Sequence, residues 1–198
     1  MSASWQPIFE THRGLPMVIW LTGLSGSGKT TIARCLCDQM RQAGERCELL
    51  DGDELREGIC RELGFSRSER EENVRRIAWL ASLLERNDVI VLVAVIAPYR
   101  EQRSALRHRF QEMLEVFVDA PLEVCERRDP KLLYARARNG EIRNFTGIDD
   151  VYEGPEFPDV HCMTDRETLS ESSAKVMRAI ENAPAHAIRT AASVGLSL

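Results

Sequence analysis

Residues 23–30 read Gly23-Leu24-Ser25-Gly26-Ser27-Gly28-Lys29-Thr30. The spacing G-x-x-x-x-G-K-[ST] is that of a Walker A loop, whose glycines let backbone N–H groups turn inward around a β-phosphate. In that reading Lys29 reaches the β- and γ-phosphates, the Thr30 hydroxyl ligates Mg²⁺, and Ser25, Ser27 and Thr31 complete the polar lining. The flanks supply the context that the motif needs. Met17-Val18-Ile19-Trp20-Leu21 is a short apolar run suited to a strand covered on both faces. Residues 29–43 place Ile32, Ala33, Leu36, Cys37 and Met40 on one helical stripe, and the N-terminus of that helix adds its positive dipole end to the anion site.

Outward from the loop the alternation repeats. Cys47–Leu50, Val89–Ile96, Leu114–Val118 and Val160–Met163 read as further strands. Between them, residues 66–86 open with the capping-box spacing Ser66-Arg67-Ser68-Glu69 and carry Val74, Ile77, Ala78, Ala81 and Leu84 on one face. A last helix spans 169–181. Strands alternating with helices imply an α/β P-loop architecture, a mostly parallel sheet flanked by helices. Residues 127–158 interrupt the rhythm with a run rich in charge, glycine and proline that includes Arg127, Arg128, Lys131, Arg136, Arg138 and Arg143. The run suits either a solvated excursion or a cationic lid over phosphates. The domain is expected over 17–182, with a leader at 1–16 and a small-residue-rich tail at 183–198.

Composition bounds the ligand. The 198 residues are 43% apolar, enough for one core, and a net charge of −5 gives no basic footprint for nucleic acid, so an anionic ligand must be held locally. The six cysteines form no C-x-x-C and no zinc spacing, so reduced buried thiols are expected. The sequence shows neither a signal-peptide pattern nor an apolar stretch of membrane-spanning length. A cytoplasmic protein without membrane partners is the expectation.

The loop alone serves a kinase, an ATPase motor or a GTP switch equally well. The guanine-recognition pattern N-K-x-D is absent, which argues against the switch. Asp51-Gly52-Asp53 ends the second strand at the carboxyl edge of the sheet, where a carboxylate can orient or deprotonate an acceptor hydroxyl, or hold the metal's water shell. The same triplet also makes a turn and a helix cap. Arg56 follows one helical turn later, and Arg70 and Asn73 stand at i, i+3 on one helix. Phe65 and Phe145 suit burial in the core, or the two faces of a planar base. The residue types leave that choice open.

Taken together, these blocks resemble the adenylylsulfate kinase family, also found as the kinase half of fused bifunctional synthases. The resemblance runs from the Walker loop through Leu50-Asp51-Gly52-Asp53, Leu63-Gly64-Phe65-Ser66, Glu72-Asn73-Val74-Arg75-Arg76-Ile77 and Pro98-Tyr99-Arg100. It continues through Phe117–Cys125, Arg128-Asp129-Pro130-Lys131 and Gly140–Asp150. It implies transfer of the ATP γ-phosphoryl to the 3′-hydroxyl of adenosine 5′-phosphosulfate, with Mg²⁺ as cofactor, a mobile lid and a homodimer. Asp53, Arg56, Phe65, Arg70, Asn73, Ile96, Lys131 and Phe145 are thereby expected around adenylylsulfate, whose adenine would stack between Phe65 and Phe145. Arg128 is expected near the ATP adenine, and Lys29, Asp53 and Lys131 are expected to be catalytic. Three positions depart from many relatives: Glu54 stands in place of Asn, Leu132 in place of Gly and Ala97 in place of Ser. The alternatives are a kinase of this scaffold with another nucleotide-linked acceptor, or a nucleotide-binding module without turnover.

Overall fold

A computed structural model describes residues 16–183. The expected leader and tail therefore lie outside the described residues, apart from Pro16 and Ala183. Five strands, β1 (Val18–Thr22), β2 (Cys47–Asp51), β3 (Ile90–Ala94), β4 (Met113–Asp119) and β5 (Val160–Met163), form one sheet in the order β2-β3-β1-β4-β5. All four pairings are parallel, with Val18 of β1 opposite Val91 on one side and Met113 on the other.

Alternation along β1 distributes side chains to two cores. Ile19 and Leu21 face α1 (Lys29–Gln42) and α7 (Leu169–Glu181), packing with Ile32, Leu36, Met40, Val176 and Ile180. Val18 and Trp20 face α3 (Arg67–Glu85), packing with Val74, Ile77 and Ala81. Each such fully buried aliphatic side chain contributes about 1.5–3 kcal/mol relative to exposure. Because β1 lies between β3 and β4, strand order reverses at it, and the crevice at its carboxyl end is where an open α/β sheet binds ligand. The Walker loop emerges there.

The long elements fall where the sequence places them, within two residues. Four shorter helices do not announce themselves in the sequence: α2 (Gly52–Glu57), α4 (Arg100–Leu106), α5 (Leu122–Arg128) and α6 (Leu133–Arg138). The charged run is more than a solvated excursion, since Tyr134, Ala137, Ile142 and Phe145 build a third small core with Ala120 and Cys125. The strand expected over 89–96 is shorter and ends at Ala94. Beyond it Ala97 adopts a left-handed φ of +43°, which turns the chain out of the sheet. Among the described residues all six cysteines are free, Cys35 half-buried and the others buried.

Candidate active site

The phosphate loop depends on glycine at particular points. Gly23 lies so close to β4 that a Cβ there would sit 2.2 Å from the Val118 carbonyl oxygen. Gly28, at φ +103°, caps α1 in the left-handed region that a side chain would strain. Several loop carbonyls accept from side chains of distant elements. Tyr134 Oη donates to Ser25 O at 2.9 Å, Arg128 Nη1 to Gly26 O at 3.2 Å, and Thr164 Oγ1 to Ser27 O at 2.7 Å. These bonds hold the loop backbone in place, and a loop whose carbonyls are occupied in this way can offer its N–H groups to a phosphate.

Lys29 is buried and donates from Nζ to Leu24 O at 2.7 Å. Burial pushes its pKa down to about 8, against the opposing pull of Asp53 and Asp51 and with a smaller push from Lys131. Thr30 Oγ1 donates to Asp51 Oδ2 at 2.7 Å, while Asp51 Oδ1 accepts from Asp53 N at 2.9 Å and so caps α2. Asp51 therefore serves both readings of the Asp-Gly-Asp triplet. One oxygen accepts from Thr30, the threonine expected to ligate the metal, and the other starts the helix that presents Asp53. A hydroxyl beside a buried carboxylate is a hard-oxygen donor set suited to Mg²⁺, which keeps phosphate and water oxygens for its remaining ligands.

Asp53 Oδ2 and Lys131 Nζ form an ion pair between two half-exposed side chains, bringing together two of the three residues expected to be catalytic. Lys29, the third, lines the same cleft. Arg56 donates to Leu63 O at 2.9 Å and Gly64 O at 3.1 Å, and its guanidinium lies 4.7 Å from the centroid of Phe65. Arg70 is buried and braces the loop of the other phenylalanine, donating to Phe65 O at 3.0 Å and Asn144 O at 2.6 Å and pairing with Asp150 at 3.4 Å. Burial lowers the pKa of both arginines, opposed at Arg70 by Asp150.

Asn73 is buried beside them, its Oδ1 without a hydrogen-bond partner among the described residues. Phe65 is half-buried, whereas Phe145 is only 2% exposed and packs edge-on against Tyr134 at 5.1 Å. Phe145 thus combines the core role with a place in the cleft wall. Asp53, Arg56, Phe65, Arg70, Asn73, Lys131 and Phe145, with Ile96 and Ala97, line one cleft of about 1040 Å³ that runs continuously from the Walker loop.

The lid cations are more committed than their clustering suggests. Arg136 pairs with Glu141 and Arg138 with Glu126, so neither is aimed at phosphates. Tyr134 and Thr164 hold the loop from 109 and 137 residues away, a separation at which no local pattern betrays a partner.

The family profile described as adenylylsulphate kinase matches residues 15–163. The chain belongs to the adenylylsulfate kinase family. The adenylyl-sulfate kinase of Picosynechococcus is 54% identical over 167 residues, covering 84% of this chain and 93% of that protein. The solved APS kinase of Mycobacterium tuberculosis, in complex with AMPPNP and APS, is 42% identical with a TM-score of 0.80, over 85% of this chain and 98% of that one. A hexameric APS kinase from Thiobacillus denitrificans is 31% identical with a TM-score of 0.63, over 83% of this chain and 28% of that larger one. The Walker loop and the Asp53–Lys131 pair of this chain lie along one cleft.

Proposed function

We propose that this adenylylsulfate kinase transfers the γ-phosphoryl of ATP to the 3′-hydroxyl of adenosine 5′-phosphosulfate, with the site residues in the following roles. The observation that carries the reading is the single cleft that joins the Walker loop to the Asp53–Lys131 pair and the two phenylalanines.

ATP lies with its β- and γ-phosphates on the N–H groups of residues 25–30, and Lys29 offsets the charge of the migrating group. Thr30 and Asp51 would hold Mg²⁺, which would supply neutralisation of the phosphate charge. Arg128, fixed by Gly26 O and Thr164 O, lies beside the ATP base. Adenylylsulfate occupies the far end, its adenine between Phe65 and Phe145 and its anionic part near Arg56, Arg70 and Asn73, with Ile96 against it.

Asp53 orients the 3′-hydroxyl in line with the γ-phosphorus and accepts its proton as the new O–P bond forms and the bond to the β-phosphate oxygen breaks. Lys131, paired with Asp53 in this structure, turns to the transferring oxygens, which frees the carboxylate for that proton. Segment 127–158 acts as the lid that carries Lys131 and Phe145.

The protein is further proposed to be a cytoplasmic homodimer. The resemblance supports the dimer, and the sequence's lack of a signal-peptide pattern the compartment; among the described residues no helix is long and apolar enough to cross a membrane. Light scattering after gel filtration tests the dimer. A coupled assay with ATP and Mg²⁺ tests the activity, offering adenylylsulfate beside AMP, ADP and sugar nucleotides. Turnover with adenylylsulfate at least tenfold above every other acceptor is expected, and a preference for another nucleotide would replace this acceptor assignment.

A further inference from the structure

Arg103 of α4 is only 1% exposed and has no place in the chemistry above. A cation so far from water is costly unless every arm of it is used. Its Nε donates to Glu115 Oε1 at 3.0 Å, its Nη1 to Ala97 O at 2.6 Å, and its Nη2 to Glu153 O. Ala97 is the residue whose φ of +43° turns the chain out of β3. A residue with a Cβ stays in that region only where its surroundings over-determine it.

The surroundings here are three donors from three separate elements. Besides Arg103, Thr22 Oγ1 at the end of β1 donates to Ile96 O at 2.5 Å, and Glu153 N donates to Pro98 O at 2.9 Å. The opposite side of this turn, Ile96 and Ala97, is wall of the cleft. We infer that Arg103 is a positioning residue for the acceptor site: by clamping the Ala97 and Glu153 carbonyls it fixes the strained turn that forms the wall beside Ile96. The inference rests on the acceptor reading given above. It assigns a role in acceptor affinity to a side chain that cannot touch the acceptor, and it separates two functions of the guanidinium. The pair with Glu115 compensates charge, whereas the two bonds to carbonyls shape the site.

Arg103→Lys separates them, because an ammonium keeps the charge beside Glu115 but lacks the planar fork that spans two further carbonyls. Steady-state kinetics well below the thermal midpoint should show KM for adenylylsulfate raised about tenfold or more, with KM for ATP within about twofold of the parent. Glu115→Gln keeps an acceptor for Nε while removing the charge; it should lower the thermal midpoint yet leave KM for adenylylsulfate within about twofold. A purely structural Arg103 would move both KM values together or neither, and either result overturns the inference. So does an acceptor KM raised equally by Glu115→Gln. Should Arg103→Lys lack a cooperative thermal transition, the near-isosteric Thr22→Val removes the other side-chain donor to the turn and must raise the same KM selectively. Turnover of adenylylsulfate by the parent is the control, since its absence would remove the acceptor reading and leave the role of Arg103 to be read with the acceptor then found.

Discussion

ATP binding should draw a proton into the protein above pH 8, through Lys29. In the free chain its ammonium is buried and its pKa lies at about 8, lowered chiefly by desolvation. Phosphate oxygens arriving at Nζ favour the charged form, so the bound pKa rises back toward the ordinary lysine range. The sign follows from that order: below pH 8 the amine is already charged and binding takes up little, whereas above pH 8 the free amine is mostly neutral and must be protonated. With a free pKa of about 8, about 0.1 proton should be taken up at pH 7 and about 0.9 at pH 9.

The association constant for a non-hydrolysable ATP analogue with Mg²⁺ should therefore fall about tenfold between pH 7 and 9, or about 1.4 kcal/mol. Calorimetry in pairs of buffers with different ionisation enthalpies reads the proton directly. Lys29→Met should weaken binding and abolish the uptake. Equal heats in both buffers at pH 9, with affinity flat from pH 7, would show that Lys29 is already charged in the free loop and refute the argument from burial.

Three further outcomes are expected. Asp53→Asn should cut kcat by about two orders of magnitude or more while ATP affinity changes only a few-fold, measured by steady-state kinetics and calorimetry; a loss confined to ATP affinity would make Asp53 a metal-site residue. Phe65→Ala and Phe145→Ala should each weaken adenylylsulfate binding by about 1–3 kcal/mol. Phe145→Ala, which empties a buried site against Tyr134, should also cost about 3–5 kcal/mol in urea unfolding, and equal unfolding losses for the two would contradict their different burial. Alanine at 97 has no oxygen to phosphorylate, so labelled ATP without acceptor should leave no stoichiometric protein-bound phosphate. A kinetically competent phosphoprotein would overturn direct transfer.

What the sequence reveals here is what local patterns encode. The Walker spacing fixes the loop, and the apolar period fixes α1. Ser66 and Glu69 mark the start of α3, where the structure shows the reciprocal cap, Ser66 N donating to Glu69 Oε2 at 3.1 Å and Glu69 N to Ser66 Oγ at 3.4 Å. The helices that escape notice, α2, α4, α5 and α6, have six or seven residues, too few for two turns of periodicity, and owe their stability to contacts made elsewhere in the chain. The candidate site divides the same way. The side chains expected in the cleft belong to recognisable motifs, whereas Arg103, Tyr134 and Thr164, which brace backbone carbonyls across long separations or in the interior, leave no pattern.

The three positions at which the sequence reading expects a different residue, 54, 97 and 132, each have a structural setting. Glu54 sits in the first turn of α2, where a carboxylate meets the positive end of the helix dipole and gains about 0.3–1 kcal/mol at an exposed position. Leu132 adopts φ +55° with its side chain 66% exposed, so burial does little to offset a left-handed cost of roughly 1–2 kcal/mol where glycine would pay none. The offset comes from Asp129, whose carboxylate accepts from Leu133 N at 2.8 Å and Ala135 N at 3.1 Å and so starts α6 irrespective of residue 132. Ala97 is held by Arg103 and Thr22. At both strained positions neighbouring groups fix the backbone, so the residue type there can drift while Lys131 and Ile96, their immediate neighbours, keep their places in the cleft.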